Sequence, residues 1–583
     1  MAEQPKILVK RAWPWVIILI ALHMALGFSA LRKDSAVADE PFHLARAAGL
    51  VLLRDSTFAV SHPPLINFIS GLPLLALKDL KLPDRSLVAA SRAMDPSDRR
   101  NALAHLLLEK LNPDAKKIVE AARIPTVLLS ALFGLLIFFW AKKIYGPPAG
   151  LFALFLYSLD PNILANAHLV TNDLGAALFI CLALYFSWRL WEAPKAWNLI
   201  LAALFLGLAE LSKFSAILLY PLYVVIWFIA LWLLKKEKPG LGWFSIKPPA
   251  LYSGLWSLVL VLAGSMIAIW AGYIFSIGPD WNFGSLLHGE ICRLSQLTAE
   301  IKCGAIGLLA LIPIPPRTFY YGLARTLVLT EQHENALYFM GKTSEQGWWY
   351  YYPVLFLVKT PLPLLILIGL RASRREKIRD SDLIARLILL APVFWFFAFF
   401  ILLNRKEIGI RHLLMVYPLL FIFVSGLATD AALSKSAWRL WLGALLGWFA
   451  LSSLAAWPNY LTYFNEAAGR TRGGLKISIV GEDWGQDVAS LAGLQKKLGL
   501  RPLFYQPYVL VSPRSYGLEF EPLNCDQKNA GYYAVHLNQL KRPVKNPELM
   551  KCVEWLKPYP PDYKVNDTIW VWKMPRPNEA PGP

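Results

Sequence analysis

Charge is scarce in this chain. Asp, Glu, Lys and Arg make up 17% of its 583 residues, while 56% are hydrophobic. A soluble globular domain carries about a quarter charged residues, so the chain as a whole is not one. Cysteine is sparse too, at five residues, and no Cys/His spacing matches a structural zinc site. There is no internal repeat, which removes solenoids and propellers. A cleavable leader is not expected either. The first apolar run, Pro14 to Ala30, is too long for one and ends without a small-x-small cleavage site. It reads as a signal anchor.

What the chain has is long apolar runs. Beyond Pro14–Ala30 they fall at Ala122–Trp140, Gly150–Leu159, Leu174–Trp191, Leu199–Leu211, Ser215–Leu234, Leu251–Phe275, Tyr352–Leu370, Ile384–Leu403, Leu413–Ala428 and Trp438–Ala456. That predicts a polytopic α-helical membrane protein of about eleven spans. Lys6, Lys10 and Arg11 precede the first run and set the N-terminus inside. The alternate loops are then basic, as at Lys142-Lys143, Lys235-Lys236, Arg371, Arg374-Arg375 and Lys435. The formal net charge of +19 is in part this orientation signal, so nucleic acid is not an expected partner.

This topology implies a plasma (inner) membrane protein with three pieces outside. Residues 31–121 hold an interfacial stretch and a charged, helical insertion from Lys78 to Lys117. Residues 276–351 form a loop too long to be a mere connection. Residues 458–583 follow the last span of a membrane unit, 1–457, and alternate strand and helix patterns. Strands are predicted at Ile477–Val480, Leu503–Val509, Tyr532–His536 and Thr568–Trp572, with helices at Gln486–Leu498 and Glu548–Leu556. That is a small extracytoplasmic α/β domain. Cys292 and Cys303, and Cys525 and Cys552, then face an oxidising space and are expected to pair locally. Cys181, inside a span, is expected to stay a buried thiol.

Polar residues gather at the outer ends of the spans. Asp39-Glu40 follows the first span, with Pro41 next; this is a helix-start pattern and also a carboxylate pair at a membrane surface. His62-Pro63-Pro64 fixes an interfacial turn, and His168 to Asp173 opens another span. Thr171 or Asn172 can cap that helix, which leaves His168 and Asp173 unexplained. Lys213 stands near the outer end of a short span, where snorkelling is the ordinary reading. Arg405, Lys406, Arg411 and His412 crowd one short outer loop. Three cations there repel one another unless an anion sits among them, and phosphate suits Arg. Asp39, Glu40 and Asp173 could converge on a divalent ion, although no convincing metal site is evident.

A carboxylate beside a nest of cations suits sugar transfer from a lipid phosphate. The carboxylate takes the acceptor proton, and the cations stabilise a leaving group that is already a phosphate. A hydrolase would want two carboxylates across the glycosidic bond.

The motifs carry a resemblance. Ala38-Asp39-Glu40-Pro41-Phe42-His43, His62-Pro63-Pro64-Leu65, His168–Asp173 and Leu211-Ser212-Lys213-Phe214-Ser215 resemble those of the GT-C glycosyltransferases. More narrowly, the chain resembles the protein O-mannosyltransferase-like group, glycosyltransferase family 39, with its bacterial phospholipid carrier-dependent members. Gly347–Pro353, Lys359-Thr360-Pro361, Gly409–Leu414, Tyr463–Glu466 and Asp483–Asp487 extend the likeness from Asp39 to about Asp487. The chain departs from it at Ser61, where relatives often carry an acid, and at Gly481-Glu482, where they often carry Ser-Asn.

The resemblance implies a polyprenyl-phosphate sugar donor, with mannose one such sugar, and an inverting single displacement. It implies Asp39 as catalytic base, and a protein, lipid or glycan acceptor. Glu40, His62, His168, Asp173, Lys213, Arg405, Arg411 and His412 are the expected substrate-binding residues. A lipid A aminoarabinose-type transferase is an alternative with the same fold and donor class. A transporter is the competing class; it would show inverted repeats and charge near the midplane.

Overall fold

The computed structural model describes residues 5–60, 62–237, 254–273, 317–329, 337–374, 380–403, 407–429, 435–542 and 547–575. Among these residues, seven helices are long and apolar enough to cross a membrane. They are Ala12–Lys33, Ala115–Tyr145, Asp173–Glu192, Phe214–Leu233, Leu255–Gly272, Leu383–Leu402 and Ser436–Ala456. An eighth crossing is formed if Tyr351–Lys359 and Leu362–Ser373 count as one span bent by 108°. The bend falls at Thr360-Pro361, because proline offers no backbone N–H to continue the first helix.

The remaining three runs expected to span fall on shorter apolar helices, Pro147–Leu159, Ala196–Glu210 and Val416–Ala428. A span needs about 20 residues, so the count of eleven is not confirmed on length among the described residues. The chain is polytopic, with seven or eight helices among the described residues long and apolar enough to cross a membrane.

Burial separates the centre of the bundle from its rim. The apolar windows of Asp173–Glu192 and Ala115–Tyr145 are 78% and 67% buried, against 28% for Ala12–Lys33 and Ser436–Ala456. The rim helices turn large apolar side chains outward, among them Trp15, Ile17, Leu440 and Trp441. Such a surface is stable against lipid and unstable against water. Trp140, Tyr157, Cys181, Trp227 and Tyr417 fill the interior.

The chain ends in a five-stranded mixed sheet of order β4-β3-β5-β7-β6. Its strands are β3 (Leu503–Tyr505), β4 (Glu521–Pro522), β5 (Gly531–His536), β6 (Tyr563–Val565) and β7 (Ile569–Met574), after a hairpin of β1 (Leu337–Phe339) and β2 (Lys342–Ser344). β3 runs parallel to β4 and β5, while β7 is antiparallel to β5 and β6. Alternate residues of β5 face opposite layers, as strand geometry requires. Ala534 packs with Val488 and Leu491 of the helix Val488–Leu498. Tyr533 and Val535 pack with Leu549, Val553 and Leu556 of the helix Pro547–Leu556. The expected strand at Ile477–Val480 is absent; Ser478 and Val480 make isolated bridges, to Phe339 and Asp483.

Cys525 and Cys552 form a disulfide with Cα atoms 5.2 Å apart, and Cys181 is a buried free thiol. Cys292 and Cys303 lie outside the described residues.

Candidate functional site

The helix Glu40–Val51 begins where a Pro at its first turn and Asp39 at its N-cap position predict. The Asp39 side chain nevertheless makes no capping hydrogen bond. It points across the fold, and Arg411 donates from Nη1 to its Oδ2 at 2.7 Å. The same Nη1 lies 3.9 Å from Asp173 Oδ2, and Lys213 Nζ donates to Asp173 Oδ1 at 2.5 Å. Asp39, Arg411, Asp173 and Lys213 therefore form one alternating chain of charge. The Asp39 side chain, 37% exposed, is its open end; those of Arg411, Lys213 and Asp173 are 11%, 18% and 6% exposed.

Arg411 is held from several sides. Its guanidinium lies over the Trp484 ring at 4.0 Å, and its Nε donates to the Ile408 carbonyl. Burial alone would lower its pKa, but the Asp39 and Asp173 carboxylates outweigh this and raise it above its ordinary value. The turn before it depends on Gly409, whose φ is +91°. A Cβ there would stand 3.1 Å from the Val480 carbonyl oxygen and 3.3 Å from Gly481 Cα. Two glycines thus meet back to back and let the Arg411 turn dock on residues 480–482.

Other expected residues lie nearby. The His412 Nδ1 pairs with the Tyr352 hydroxyl at 2.9 Å, and its ring stacks with Phe400. His62 sits with its ring 5.4 Å from that of His43, one helical turn beyond Asp39. Arg405 lies outside the described residues.

Two residues are built into the frame instead. Glu40 is fully buried; it accepts from Arg123 Nε and Nη2 at 2.7 and 2.6 Å, and from the N–H groups of Val37 and Val170. Asp39, Glu40 and Asp173, which could have met around a divalent ion, do not converge. Asp39 and Asp173 share Arg411, while Glu40 faces Arg123. No group of three or more His, Cys, Asp or Glu among the described residues is placed to hold a metal. His168 pairs through Nε2 with Asp34 Oδ2 at 2.9 Å and is fully buried.

Sequence reasoning did not assign Trp484, Asp34 or Arg123. Arg123 carried a signal: it is a lone cation at the start of the apolar run 122–140, where an unpaired charge is costly. Trp484 lies within a quoted motif, but nothing in the motif says that its ring supports Arg411. Lys359, also within a quoted motif, bonds the Leu461 carbonyl at 2.8 Å and stands 3.6 Å from Glu482.

Residues 116–246 match the family described as dolichyl-phosphate-mannose-protein mannosyltransferase. Over that stretch the chain carries this family's pattern. The match bears out the likeness to membrane glycosyltransferases drawn from the motifs, and it includes Asp173 and Lys213. No curated protein is significantly similar to the chain in sequence. The structure is similar to ArnT from Cupriavidus metallidurans bound to undecaprenyl phosphate. The TM-score is 0.46 at 14% identity, over 98% of this chain and 99% of that one. It is also similar to the oligosaccharyltransferase AglB from Archaeoglobus fulgidus in complex with an inhibitory peptide and a dolichol-phosphate. There the TM-score is 0.39 at 12% identity, over 83% and 58% of the two chains. For the arabinosyltransferase EmbB from Mycobacterium smegmatis the values are 0.23, 13%, 77% and 41%.

Proposed function

We propose that this chain is an inverting glycosyltransferase that moves a sugar from a polyprenyl-phosphate donor to an acceptor hydroxyl. The reaction takes place at the outer face of the plasma (inner) membrane, with residues 1–457 as the membrane unit and 458–583 as an extracytoplasmic domain. The observation that carries the reading is the Asp39–Arg411–Asp173–Lys213 chain, with a half-open carboxylate at one end and two partly buried cations behind it.

In the proposed reaction the acceptor oxygen attacks the anomeric carbon while Asp39 takes its proton. The bond from that carbon to the phosphate oxygen breaks, and the electron pair leaves on the phosphate. Arg411 and Lys213 neutralise the added charge, which removes the need for a general acid. Asp173 holds both cations in place, and His412 and His62 flank the site. One displacement at one carbon inverts its configuration.

The test is transfer in proteoliposomes, using decaprenyl-phosphate mannose and decaprenyl-phosphate aminoarabinose, each with a Ser/Thr peptide and with lipid A. Transfer from either donor supports the reading, and the productive pair names the sugar and acceptor. Turnover of aminoarabinose onto lipid A alone would select the alternative within the same fold and donor class. Movement of intact lipid across the bilayer with no transfer would replace the enzyme with a transporter.

A further inference from the structure

The segment 484–486 holds both members of the Asp39–Arg411 pair. The Trp484 indole lies beneath the Arg411 guanidinium, and the Trp484 carbonyl accepts from the N–H of Ala38, the residue before Asp39, at 2.9 Å. The Gln486 carbonyl accepts from Ser35 N–H at 2.8 Å, and Ser35 Oγ accepts from Ala489 N–H at 2.8 Å. Ala36 N–H donates to the Tyr516 hydroxyl at 2.8 Å. Residues 35–38, which lead into Asp39, thus rest on the far end of the chain.

The segment is in turn fixed to the terminal sheet through Asp483. Its Oδ1 lies 3.0 Å from His536 Nδ1, and its Oδ2 accepts from Asn538 N–H at 2.8 Å. The Asn538 side-chain amide donates to the Asp483 carbonyl at 3.0 Å. A carboxylate only accepts, so His536 Nδ1 carries the proton toward Asp483. The His536 Nε2 bonds the Tyr505 hydroxyl at 2.9 Å. His536 ends β5 and Tyr505 ends β3, two adjacent parallel strands. Asp483 and His536 are both 0% exposed.

A buried Asp–His–Tyr relay invites comparison with a nucleophile triad, but here the end member is a buried tyrosine inside the sheet. Its geometry serves to hold, because both carboxylate oxygens and the carbonyl of Asp483 are bonded to the segment 536–538.

We infer that His536 is a positioning residue: through Asp483 it fixes the Trp484 platform, so that the terminal sheet sets the distance between Asp39 and Arg411. The inference rests on the proposed transferase reading for its consequence in catalysis, and on the hydrogen bonds alone for its consequence in structure.

The experiment uses the full-length protein with His536→Asn, whose amide can replace the Nδ1–H toward Asp483, and His536→Gln, whose amide reaches instead toward Tyr505. Amide hydrogen exchange needs no substrate. In His536→Gln, exchange at residues 35–38 should be at least tenfold faster than in the wild type, while His536→Asn should remain within threefold. In the transfer assay, kcat should fall at least tenfold in His536→Gln with donor KM within twofold, and His536→Asn should recover most of it. Unchanged exchange at 35–38 in a folded His536→Gln would overturn the inference, as would equal losses in both variants that track their melting temperatures. Faster exchange in a protein whose wild type transfers no sugar would leave the positioning role standing and remove the transferase reading.

Discussion

Arg123 donates two hydrogen bonds to the two carboxylate oxygens of Glu40, and both side chains are 0% exposed. The remaining Arg123 donors reach the carbonyl oxygens of Leu31, Asp34 and Ser35. This pair therefore ties the helix Ala115–Tyr145 to the strand of chain that ends at Asp39.

Breaking that pair should cost stability before it costs chemistry. Glu40→Ala leaves a buried guanidinium uncompensated, at roughly 3–5 kcal/mol, and should lower yield and melting temperature in detergent. Burial by itself would raise the Glu40 pKa, but Arg123 and the two backbone N–H donors hold it below its ordinary value. Its contribution is therefore complete above the unfolded carboxylate pKa and is lost as pH falls through the lower folded value. Thermal melts across acid pH should show this limb in the wild type and a flatter one in Glu40→Ala.

Asp39→Asn should behave in the opposite way. The side chain is 37% exposed and caps nothing, so folding and donor binding should stay close to wild type. Transfer should fall about a hundredfold or more. Near-normal turnover would move the base elsewhere.

Arg411→Lys should not rescue Arg411→Gln. A lysine keeps the charge but loses the planar fork and the stacking on Trp484. Donor affinity, measured with decaprenyl phosphate, should drop about tenfold or more in both variants, the size of a charge-assisted hydrogen bond of roughly 1.5–3 kcal/mol. Lys213→Gln should show the same direction. Unchanged affinity in all three would place the phosphate outside this site.

His43 supplies a second acid-sensitive element, beside the site. Burial, reinforced by Arg46, lowers its pKa from 6.5 to about 4, and Nδ1 pairs with Asn67 Oδ1 at 2.8 Å. The fold accepts the neutral ring, so its share of stability is full above about pH 6.5 and is lost as pH falls toward about 4. That share is on the order of 3 kcal/mol. His43→Gln should flatten the loss between these values; melts from pH 4 to 8 would show an unchanged slope if the ring is protonated in the fold.

Reduction should loosen the terminal sheet while leaving the bundle intact. The Cys525–Cys552 bridge closes a separation of 27 residues, worth on the order of 2–4 kcal/mol. Non-reducing peptide mapping should recover this pair, with Cys181 as a free thiol.

The legible part of the molecule is the part set by local rules. Apolar length marked the long helices, and alternation marked β5 and β7 at Tyr532–His536 and Thr568–Trp572 to within a residue or two. The strand at 477–480 failed because four apolar-leaning residues do not specify a pairing partner. At the site, residue types announced Asp39, Asp173, Lys213 and Arg411 as charges out of place. Their grouping was not legible, since Arg411 meets Asp39 across 372 residues. The neighbouring acids show the limit most sharply. Asp39 and Glu40 share one helix start, yet Glu40 does the structural work and Asp39 is left to Arg411. Only the position of Arg123, 83 residues away, decides which is which.

The same separation orders the life of the molecule during synthesis. Asp39 is made long before Arg411, Trp484 and His536. Until the strand ending at His536 has folded, the platform beneath the pair lacks its anchor. On the proposed reading, a chain stalled before His536 would insert its early helices with the site still unassembled.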